Sequence, residues 1–580
     1  MSVKVSLSSV TLSSDDEIAF KQNGMTLIVG PNNSGKSSFL REIFQTLQIG
    51  SEPSKKSRKI ISQIKFIQEG DQILIQQFLN SNTKQFNDPN GLTFLRTLNV
   101  NVQENTAIAR WQNLDNGLHE TTSLYCTFVD TMSRLSITNP PQTLDVLSDI
   151  PQHPIHVLYE DDSVENQLSE YIQLAFGENL ILNRGAGSII PLHFGKAPEK
   201  KSGEDRVSKG YLKELADIPK IHEQGDGIKS FIGCLLQTII MKKFITLLDE
   251  PEAFLHPPQA KLLGLLLARE HPNNQLIVST HSGDIVRGIL ETDISNLTIV
   301  RITRKGNKNY ASKLAAEDIQ KLWADPILKF SNILDGLFHE GIIVCEADAD
   351  CRFYSAMMDT LYERNIKEKD AEEAKSNNAK KKPDILFTSC GGKDRIPTIV
   401  RALIKIKLPT RVVVDFDLLS DEAKTKELYE SLGGQWSEVK TDYTKVKSAI
   451  DNSPKPLNIT DVITNLKEIL CEIEEKKSID KIHRKKIKEI IKESSAWWNA
   501  KKSGISIVPS GEARVAINSL ISKFKEVGLW LVPCGELESF DKTISGKKSM
   551  RWVAKVLEKN ISSTDDLKEA REFVLGLSAF

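Results

Sequence analysis

The stretch GPNNSGKS, Gly30 to Ser37, decides the fold of the first half of this 580-residue chain. It fits the pattern GxxxxGK[ST], follows the apolar run TLIVG at 26–30 and precedes the helix-like run SSFLREIFQTL at 37–47. In such a unit the glycines let backbone N–H groups surround phosphates at a helix N-terminus. The stretch therefore predicts a nucleotide site in which Lys36 reaches the β- and γ-phosphates and Ser37 binds Mg²⁺. The expected nucleotide-binding residues of this loop are Gly30, Asn32, Asn33, Ser34, Gly35, Lys36, Ser37 and Ser38.

Other short apolar runs also end in polar residues. They are FITLLDE at 244–250, QLIVST at 275–280, GIIVCE at 341–346 and RVVVDFD at 411–417. Continuous apolar runs of this length are typical of parallel strands that are buried on both faces. Because ligands of such sheets bind beyond the carboxyl ends of the strands, the residues that close these runs are the first candidates for chemistry. The chain is therefore predicted to have an α/β fold.

The run at 244–250 brings two adjacent carboxylates, Asp249 and Glu250, to the end of a strand. Downstream of a phosphate-binding loop this is a Walker B pattern. Asp249 is expected to bind Mg²⁺ through water, and Glu250 to polarise the attacking water as general base. A plain strand exit is the alternative interpretation, and the upstream loop favours the catalytic one.

The sequence around these acids resembles ABC-class ATPases of the SMC and DNA-repair type. The stretch DEPEAFLHP at 249–257 is followed by STHS at 279–282, and the resemblance implies that His281 senses the γ-phosphate. The stretch QGDG at 224–227 stands where the ABC signature should lie, although it departs from the usual LSGG letters. It is similar to the same stretch of OLD (overcoming lysogenization defect) proteins. That resemblance implies that Gly225 and Gly227 contact an ATP shared by two chains of a homodimer.

The second half carries acids at two predicted strand ends. Glu346 closes one run and is followed by Asp350, while Asp415 and Asp417 close the other. Clustered carboxylates at neighbouring strand ends suit one or two Mg²⁺ or Mn²⁺ ions in phosphodiester chemistry. The order of these acids is similar to the Toprim arrangement of topoisomerases, bacterial primases and OLD nucleases. The resemblance implies that all four bind metal and that Glu346, Asp415 and Asp417 are catalytic.

Later stretches extend the resemblance to the last part of the Toprim fold. The turn GGKD at 391–394 is either the Gly-rich turn after the second Toprim strand or an ordinary loop. A strand is expected at 505–508, and LWLVPCGELE at 529–538 resembles the last Toprim strand of OLD proteins. By that match Glu536 or Glu538 completes a second metal site, and Lys547 or Lys548 stabilises charge on the scissile phosphate.

The chain is too long for a single hydrophobic core, so two large domains are expected. An ABC-class ATPase domain is expected at 1–338, with a helical dimerisation insertion within 50–215 and a helix at 162–176, where Asp162 and Glu165 have capping-box spacing. A Toprim domain is expected at 339–549. Its predicted insertions are a charge-rich segment at 363–383 and a Lys- and Glu-rich helical one at about 420–500. Within the second, isoleucines at helical spacing over 482–491 predict an amphipathic helix as one arm of an antiparallel pair. A helical tail is expected at 550–580.

Composition limits the class of protein. The formal net charge is -1, so DNA contact must be local, and three basic runs are candidates, although each can equally be a solvated face: 55–59, 380–382 and 484–488. No apolar run approaches a membrane span and the N-terminus is not a signal peptide, so a cytoplasmic protein without a membrane partner is expected. The seven cysteines form no CxxC pair, which excludes the zinc-binding module of a primase and predicts free thiols.

The resemblance to OLD proteins runs from Gly30 to about Lys548. It implies an ATP-hydrolysing, Mg²⁺- or Mn²⁺-dependent DNA endonuclease that serves antiphage defence, as the Gabija nuclease subunit and retron-associated OLD nucleases do. Two other hypotheses stay open. One is a structural or repair ATPase of the ABC type that binds DNA without cutting it. The other is an effector that stays silent until an accessory protein or nucleic acid releases it, with the insertion at 420–500 as its docking surface.

Overall fold

The computed structural model describes residues 3–96, 101–147, 149–270, 274–292, 296–314, 317, 319, 333–372, 382–453, 459–476, 478–544 and 550–580. The chain divides into two compact units, Met1–Phe338 and His339–Phe580. Each unit is an α/β structure with its own parallel sheet. Across the described residues, no helix is long and apolar enough to cross a membrane.

The first unit contains strands and helices in mixed order. Its strands are β1 Lys4–Leu12, β2 Glu17–Ala19, β3 Gly24–Val29, β4 Ile61–Glu69, β5 Lys84–Asn87, β6 Thr93–Arg96, β7 Asn101–Gln103, β8 Cys126–Val129, β9 Asn179–Leu182, β10 Leu192–Gly195, β11 Ile245–Asp249, β12 Gln275–Ser279, β13 Leu297–Lys305 and β14 Lys308–Leu314. Its helices are α1 Lys36–Ile49, α2 Ser51–Lys55, α3 Gln72–Asn82, α4 Glu104–Gln112, α5 Thr122–Tyr125, α6 Thr131–Ser136, α7 Pro154–Glu160, α8 Asp162–Phe176, α9 Lys209–Ala216, α10 Asp226–Leu235, α11 Pro257–Arg269 and α12 Gly283–Leu290.

A six-stranded sheet in the order β14-β13-β3-β12-β11-β8 forms the centre of this unit. All neighbouring strands are parallel except β13 and β14. Every residue of β3, β11 and β12 is buried, because these central strands are covered on both faces. Asp249 pairs with Ser279, and Ser279 with Ile28, so the carboxyl ends of the three strands meet at one edge.

The region 50–215 contains strands as well as helices. Helices α2 to α9 alternate with β4 to β10, and β5, β6 and β7 form a separate antiparallel sheet. The helix predicted at 162–176 is present as α8. Its N-cap is Asp161, whose side chain accepts a hydrogen bond from the N–H of Ser163, so the predicted capping box of Asp162 and Glu165 is wrong. Glu165 is buried instead, where it accepts the N–H of Leu182 at 3.0 Å.

The second unit is built on a four-stranded parallel sheet in the order β16-β15-β17-β18. Its strands are β15 Gly341–Cys345, β16 Ile385–Ser389, β17 Thr410–Val414 and β18 Leu529–Leu531. Its helices are α13 Asp348–Glu372, α14 Ile396–Lys405, α15 Glu422–Ser431, α16 Trp436–Asp451, α17 Ile459–Lys476, α18 Lys481–Glu493, α19 Ala496–Ser503, α20 Glu512–Glu526, α21 Met550–Leu557 and α22 Lys568–Ser578. The apolar runs predicted as strands at 341–346 and 411–417 are therefore strands here.

Three predictions for this unit need correction. Residues 504–507 form a 3₁₀ turn rather than a strand, since Gly504 has a φ of 56° and turns the chain at that point. Residues 363–372 continue helix α13 rather than starting an insertion. Helices α21 and α22, predicted as a tail, enter the core of the unit, where Trp552 and Phe573 pack on Phe353 and Tyr354. Helices α17 and α18 form the expected pair. Glu472 of α17 contacts His483 and Lys486 of α18.

Candidate functional site

The loop between β3 and α1 has the backbone shape of a phosphate cradle. Gly30, Asn33 and Gly35 have φ values of 144°, 62° and 96°, a region that glycine and asparagine tolerate best. At Gly35 a Cβ atom would lie 2.4 Å from Cδ1 of Ile60. Helix α1 begins directly afterwards at Lys36, so its free N–H groups face the loop.

Hydrogen bonds fix the loop and the Lys36 side chain in place. The Nζ of Lys36 donates to the carbonyl oxygens of Gly30 at 2.8 Å and Pro31 at 3.0 Å. Asn309 of β14 donates to the carbonyl oxygen of Ser34 at 2.6 Å and fixes the loop. The buried hydroxyl of Ser34 has no hydrogen-bond partner, an uncommon state for a buried polar atom. A phosphate oxygen is a fitting partner for it. Asn32 and Ser38 are exposed beside the loop.

Asp249 ends β11 beside this loop. Its carboxylate accepts a hydrogen bond from the hydroxyl of Ser279 and also contacts Ser37. Burial raises the pKa of Asp249 against these hydrogen bonds. The contact of Ser37 with Asp249 brings together the two oxygen ligands that the sequence assigns to Mg²⁺, and this pair fits such an ion.

Glu250 and His281 form a charged pair at the same edge of the sheet. Nδ1 of His281 lies 3.6 Å from Oε1 of Glu250 and 3.3 Å from Oε1 of Glu252. The contact with Glu250 raises the pKa of His281, and the same contact lowers the pKa of Glu250. Glu252 accepts the N–H of His281 at 2.8 Å, while its burial raises its pKa. Glu250 is half-exposed, so its carboxylate is accessible to water.

The two signature-like glycines lie at the start of helix α10. Gly225 is the N-cap of the helix and Gly227 lies in its first turn. A Cβ atom on Gly227 would come within 2.9 Å of the carbonyl oxygen of Phe254, in the loop that follows β11. The glycines therefore lie next to the DEPEAFLHP loop. Phe254 itself is exposed and has a φ of 69°.

In the second unit, the acids at the ends of β15 and β17 come together. Oε1 of Glu346 accepts the N–H of Asp415 at 2.9 Å, and both residues are buried. Asp417 lies in the 3₁₀ turn that follows β17. Glu536 comes within 4.0 Å of the same lysine, Lys501, that contacts Asp417. Four of the six predicted metal ligands of this unit therefore surround one region of the sheet edge.

Two lysines lie among these acids. Nζ of Lys501, on α19, is 2.8 Å from Oδ2 of Asp417 and 3.2 Å from Oδ2 of Asp415. Nζ of Lys393 bonds to Oδ1 of Asp417 and lies 3.4 Å from Oε1 of Glu346. Burial acts to raise the pKa of Asp417, but the charges of Lys393 and Lys501 outweigh it, so the pKa is lower than usual.

These contacts decide whether a divalent ion fits the arrangement. The oxygen donors are those that Mg²⁺ and Mn²⁺ prefer. Within the described ranges, however, no group of His, Cys, Asp and Glu side chains is arranged to hold a metal ion. The ammonium groups of Lys393 and Lys501 supply the positive charge instead. The present arrangement therefore does not fit a divalent ion unless these lysines move.

The remaining predicted residues have other positions in the fold or cannot be placed. Oδ2 of Asp350 accepts the N–H of Ala347 at 3.0 Å, which fixes the start of α13. Glu538 lies in the 3₁₀ turn Leu537–Phe540. Lys547 and Lys548 fall outside the described residues.

Sequence reasoning missed two residues that are central to the two sites. Lys501 lies in the stretch AWWNAKKS, where no strand end or motif marks it. Arg134 is completely buried and bonds to the carbonyl oxygens of Asp249 and Glu250. Both contacts join residues more than 80 positions apart, so neither has a local sequence signal.

One comparison, with protein-family models, gives a match that lies in the first unit. Residues 140–286 match the family model described as "AAA domain, putative AbiEii toxin, Type IV TA system". The uncharacterized protein MJECL11 of Methanocaldococcus jannaschii is 35% identical over 69 residues, 12% of this chain and 60% of that protein. The matched stretch thus spans less than two thirds of that relative.

Three solved structures are similar at low sequence identity. The SMC head domain from Thermotoga maritima is 15% identical and covers 55% of this chain and 100% of its own, with a TM-score of 0.28. The Smc head domain bound to the C-terminal domain of ScpA from Pyrococcus furiosus is 12% identical and covers 55% and 98%, with a TM-score of 0.32. The SmcHead bound to the C-winged helix domain of ScpA is 14% identical and covers 55% and 100%, with a TM-score of 0.34.

The TM-scores are low, so the assignment rests on the family match and on the geometry of the phosphate loop. The matched range contains the strand that ends in Asp249 and Glu250 and also contains His281. Strand β3, which leads into the phosphate loop, pairs with β12, and β12 pairs with β11. The match and the phosphate loop together indicate a P-loop ATPase domain similar to the AAA model in the first unit, which implies nucleotide binding.

Proposed function

We propose that the first unit hydrolyses ATP with Glu250 as general base. The pairing of Glu250 with His281 beside the phosphate loop carries this proposal. A carboxylate held in its charged form can accept a proton from the attacking water, and positioning by such a base contributes roughly 10²- to 10⁴-fold to a rate. Mg²⁺, when bound by Ser37 and Asp249, neutralises phosphate charge. Lys36 and the helix N-terminus bind the β- and γ-phosphates.

We further propose that ATP binding joins two copies of the chain. Gly225 and Gly227 stand at a helix start beside the exposed Phe254, on the loop after Glu250. The free N–H groups at the start of a helix suit a phosphate group of an ATP that is bound to a second chain. This arrangement would make each ATP a shared ligand of a homodimer.

For the second unit we propose phosphodiester hydrolysis in DNA. The observation that carries it is the convergence of Glu346, Asp415 and Asp417 at the carboxyl edge of a parallel sheet, where α/β enzymes place their chemistry. Lys393 and Lys501 supply positive charge for a phosphate group beside these acids. Arg484, Lys485, Lys486 and Lys488 are exposed on α18 and offer a local basic surface for the DNA backbone. Coordination of Mg²⁺ or Mn²⁺ by the acids would require the lysines to withdraw.

A partner-controlled effector is the second candidate, and one observation favours it. Lys501 lies on α19, directly after the helical region 420–500, and its ammonium group occupies the centre of the acid cluster. An accessory protein or nucleic acid that moved these helices would also move Lys501. On this candidate, a role in antiphage defence would begin with that release.

The test of the nuclease proposal is incubation of supercoiled plasmid with the full chain and Mg²⁺ or Mn²⁺, with and without ATP. We expect nicked or linear DNA from the unaltered protein and intact plasmid from the Asp415→Ala, Asp417→Ala variant. Equal cutting by both proteins would refute the proposed site. Intact plasmid in every lane, with ATP hydrolysis present, would favour the partner-controlled effector or an ATPase that binds DNA without cutting it.

A further inference from the structure

Arg134 is a completely buried cation beside the nucleotide site, on the short helix α6. Its guanidinium group donates four hydrogen bonds. Nη1 donates to the carbonyl oxygen of Asp249 at 2.7 Å, and Nη2 to that of Glu250 at 2.9 Å. Nε donates to the hydroxyl of Ser230 at 3.2 Å, and Nη2 also to that of Thr131 at 3.3 Å. All four acceptors are neutral, so these bonds fix geometry rather than pair charges.

The backbone that Arg134 binds is strained. Glu250 has a φ of 45°, in the left-handed region that residues with a side chain seldom adopt. Three hydrogen bonds hold its backbone there: its own N–H donates to the carbonyl oxygen of Ser279 at 2.9 Å, and its carbonyl oxygen accepts from Arg134 at 2.9 Å and from the N–H of Ala253 at 3.1 Å. Such strain persists only when the surrounding structure fixes it, and it is common at functional sites. Arg134 is therefore one of the groups that fix the backbone from which the Glu250 side chain extends.

The same guanidinium group reaches the signature-like helix. Ser230 lies in the early part of α10, and its hydroxyl donates to the carbonyl oxygen of Ala253 at 3.1 Å while it accepts from Arg134. Helices α6 and α10 can approach this closely because Gly233 has no side chain, and a Cβ atom there would lie 1.9 Å from the carbonyl oxygen of Arg134. Arg134 thus ties the end of β11 to the helix that starts with Gly225 and Gly227.

We propose that Arg134 is a positioning residue for ATP hydrolysis, which holds the backbone of Asp249 and Glu250 so that the Glu250 carboxylate faces the attacking water. The inference rests on the proposed ATPase activity. A purely stabilising role fits poorly, because a buried charge without a charged hydrogen-bond partner is expensive to desolvate and apolar residues serve stability at least as well. Arg134 is completely buried, so its side chain has no surface for a nucleotide contact of its own.

The test uses five variants of the full chain. They are Arg134→Lys, Ser230→Ala, Glu250→Gln and the two double variants that combine Glu250→Gln with Arg134→Lys or with Ser230→Ala. Arg184→Lys is the matched control, because Arg184 also donates to two backbone carbonyl oxygens, those of Leu158 and Tyr159, in the same unit. Melting temperature, the Kd of a fluorescent ATP analogue and the kcat of hydrolysis are measured for each. We expect Arg134→Lys to lower kcat by about tenfold, less than the roughly 10²- to 10⁴-fold loss of the general base itself, with little change in Kd, and Arg184→Lys to leave kcat unchanged.

The double variants separate positioning from general stability. If Arg134 acts through Glu250, Arg134→Lys causes no further loss of kcat once Glu250→Gln has removed the base. The effects of two substitutions are not additive when both residues act through the same catalytic group. Multiplied losses, or an unchanged kcat in Arg134→Lys, would overturn the inference. If Arg134→Lys does not fold, Ser230→Ala is tested in the same cycle; it removes the hydrogen bond from Nε of Arg134 together with the one from Ser230 to the carbonyl oxygen of Ala253. An unaltered protein that hydrolyses no ATP would overturn the proposed function itself, whereas an active one with an unaffected Arg134→Lys overturns this inference alone.

Discussion

At the residue scale, Glu250 and His281 keep each other charged. The contact raises the pKa of His281 and lowers the pKa of Glu250, so the pair persists from the lowered glutamate pKa up to the raised histidine pKa. It is lost as the pH rises through the His281 pKa or falls through that of Glu250. The charge of Glu252 also raises the pKa of His281, and the charge of Lys36 lowers it.

We therefore expect an NMR titration of His281 to give a pKa above the ordinary histidine range, and Glu250→Gln to lower it. Glu250→Gln removes the charge but keeps the shape of the side chain, so the change reports the electrostatic contact. A His281 pKa at or below the ordinary range, or one that is unchanged in Glu250→Gln, would contradict the pairing.

Lys501 is one of two lysines that set the charge of the second site. Its ammonium group lies 2.8 Å from Asp417 and 3.2 Å from Asp415, where it repels a second cation. We expect Lys501→Met to strengthen Mn²⁺ binding several-fold, as measured by calorimetric titration. The neighbouring Lys502→Met is the control, because the Nζ of Lys502 lies 4.3 Å from the centre of the Trp498 ring and, within the part of the chain that the structure describes, forms no ion pair with these acids. Unchanged or weaker Mn²⁺ binding in Lys501→Met alone would show that the lysine does not compete with a metal.

At the element scale, helices α11 and α12 pack so closely that their backbones are in contact. A Cβ atom on Gly288 of α12 would lie 2.0 Å from the carbonyl oxygen of Lys261, and one on Gly264 of α11 would lie 2.4 Å from that of Ile285. The atoms that would clash are backbone atoms, which cannot rotate away. Helix α12 follows directly on the segment of His281, so this packing also supports the nucleotide site.

We expect Gly288→Ala to destabilise the protein by about 1–3 kcal/mol, the usual range for an overpacked core. The measurement is a thermal melt beside Gly210→Ala. Gly210 is also helical, but a Cβ atom there meets only the flexible end of Glu204, so helix propensity should leave stability equal or slightly higher. Equal melting temperatures for Gly288→Ala and the unaltered protein would contradict the close packing.

The elements also show how far the sequence predicts the fold. The strands that end in Asp249, Cys345 and Val414 were predictable, because a parallel strand buried on both faces needs a continuous apolar run. The 3₁₀ turn at 504–507 has the same apolar letters, and only the left-handed Gly504 distinguishes it. The capping box at Asp162 failed because the neighbouring Asp161 competes for the same role.

The candidate site was predictable only where chemistry coincides with a strand end. Glu346 and Asp415 follow apolar runs, and the structure places them in hydrogen-bond contact. Lys501 and Arg134 reach their sites from helices far along the chain, so their roles depend on tertiary packing that no local pattern records. A buried arginine in particular has no sequence signature that distinguishes it from a surface one.

At the scale of the whole molecule, the chain carries two separate sets of acids on two parallel sheets. Asp249 and Glu250 belong to the ATPase domain of the first unit, while Asp415 and Asp417 belong to the second unit. Each set lies at the carboxyl edge of its own sheet. The proposed ATP hydrolysis and the proposed DNA cleavage therefore depend on different groups of residues, which can be removed one at a time.

The most direct test of this account is phosphate release from ATP by the full chain, its Glu250→Gln variant and its Asp415→Asn, Asp417→Asn variant. We expect Glu250→Gln to reduce turnover by roughly 10²-fold or more while it still binds ATP, as the loss of a general base does. The Asp415→Asn, Asp417→Asn variant should keep the ability to hydrolyse ATP, because its substitutions lie in the other unit. Turnover by Glu250→Gln at the rate of the unaltered protein would contradict the central claim that Glu250 is the base of an ATPase.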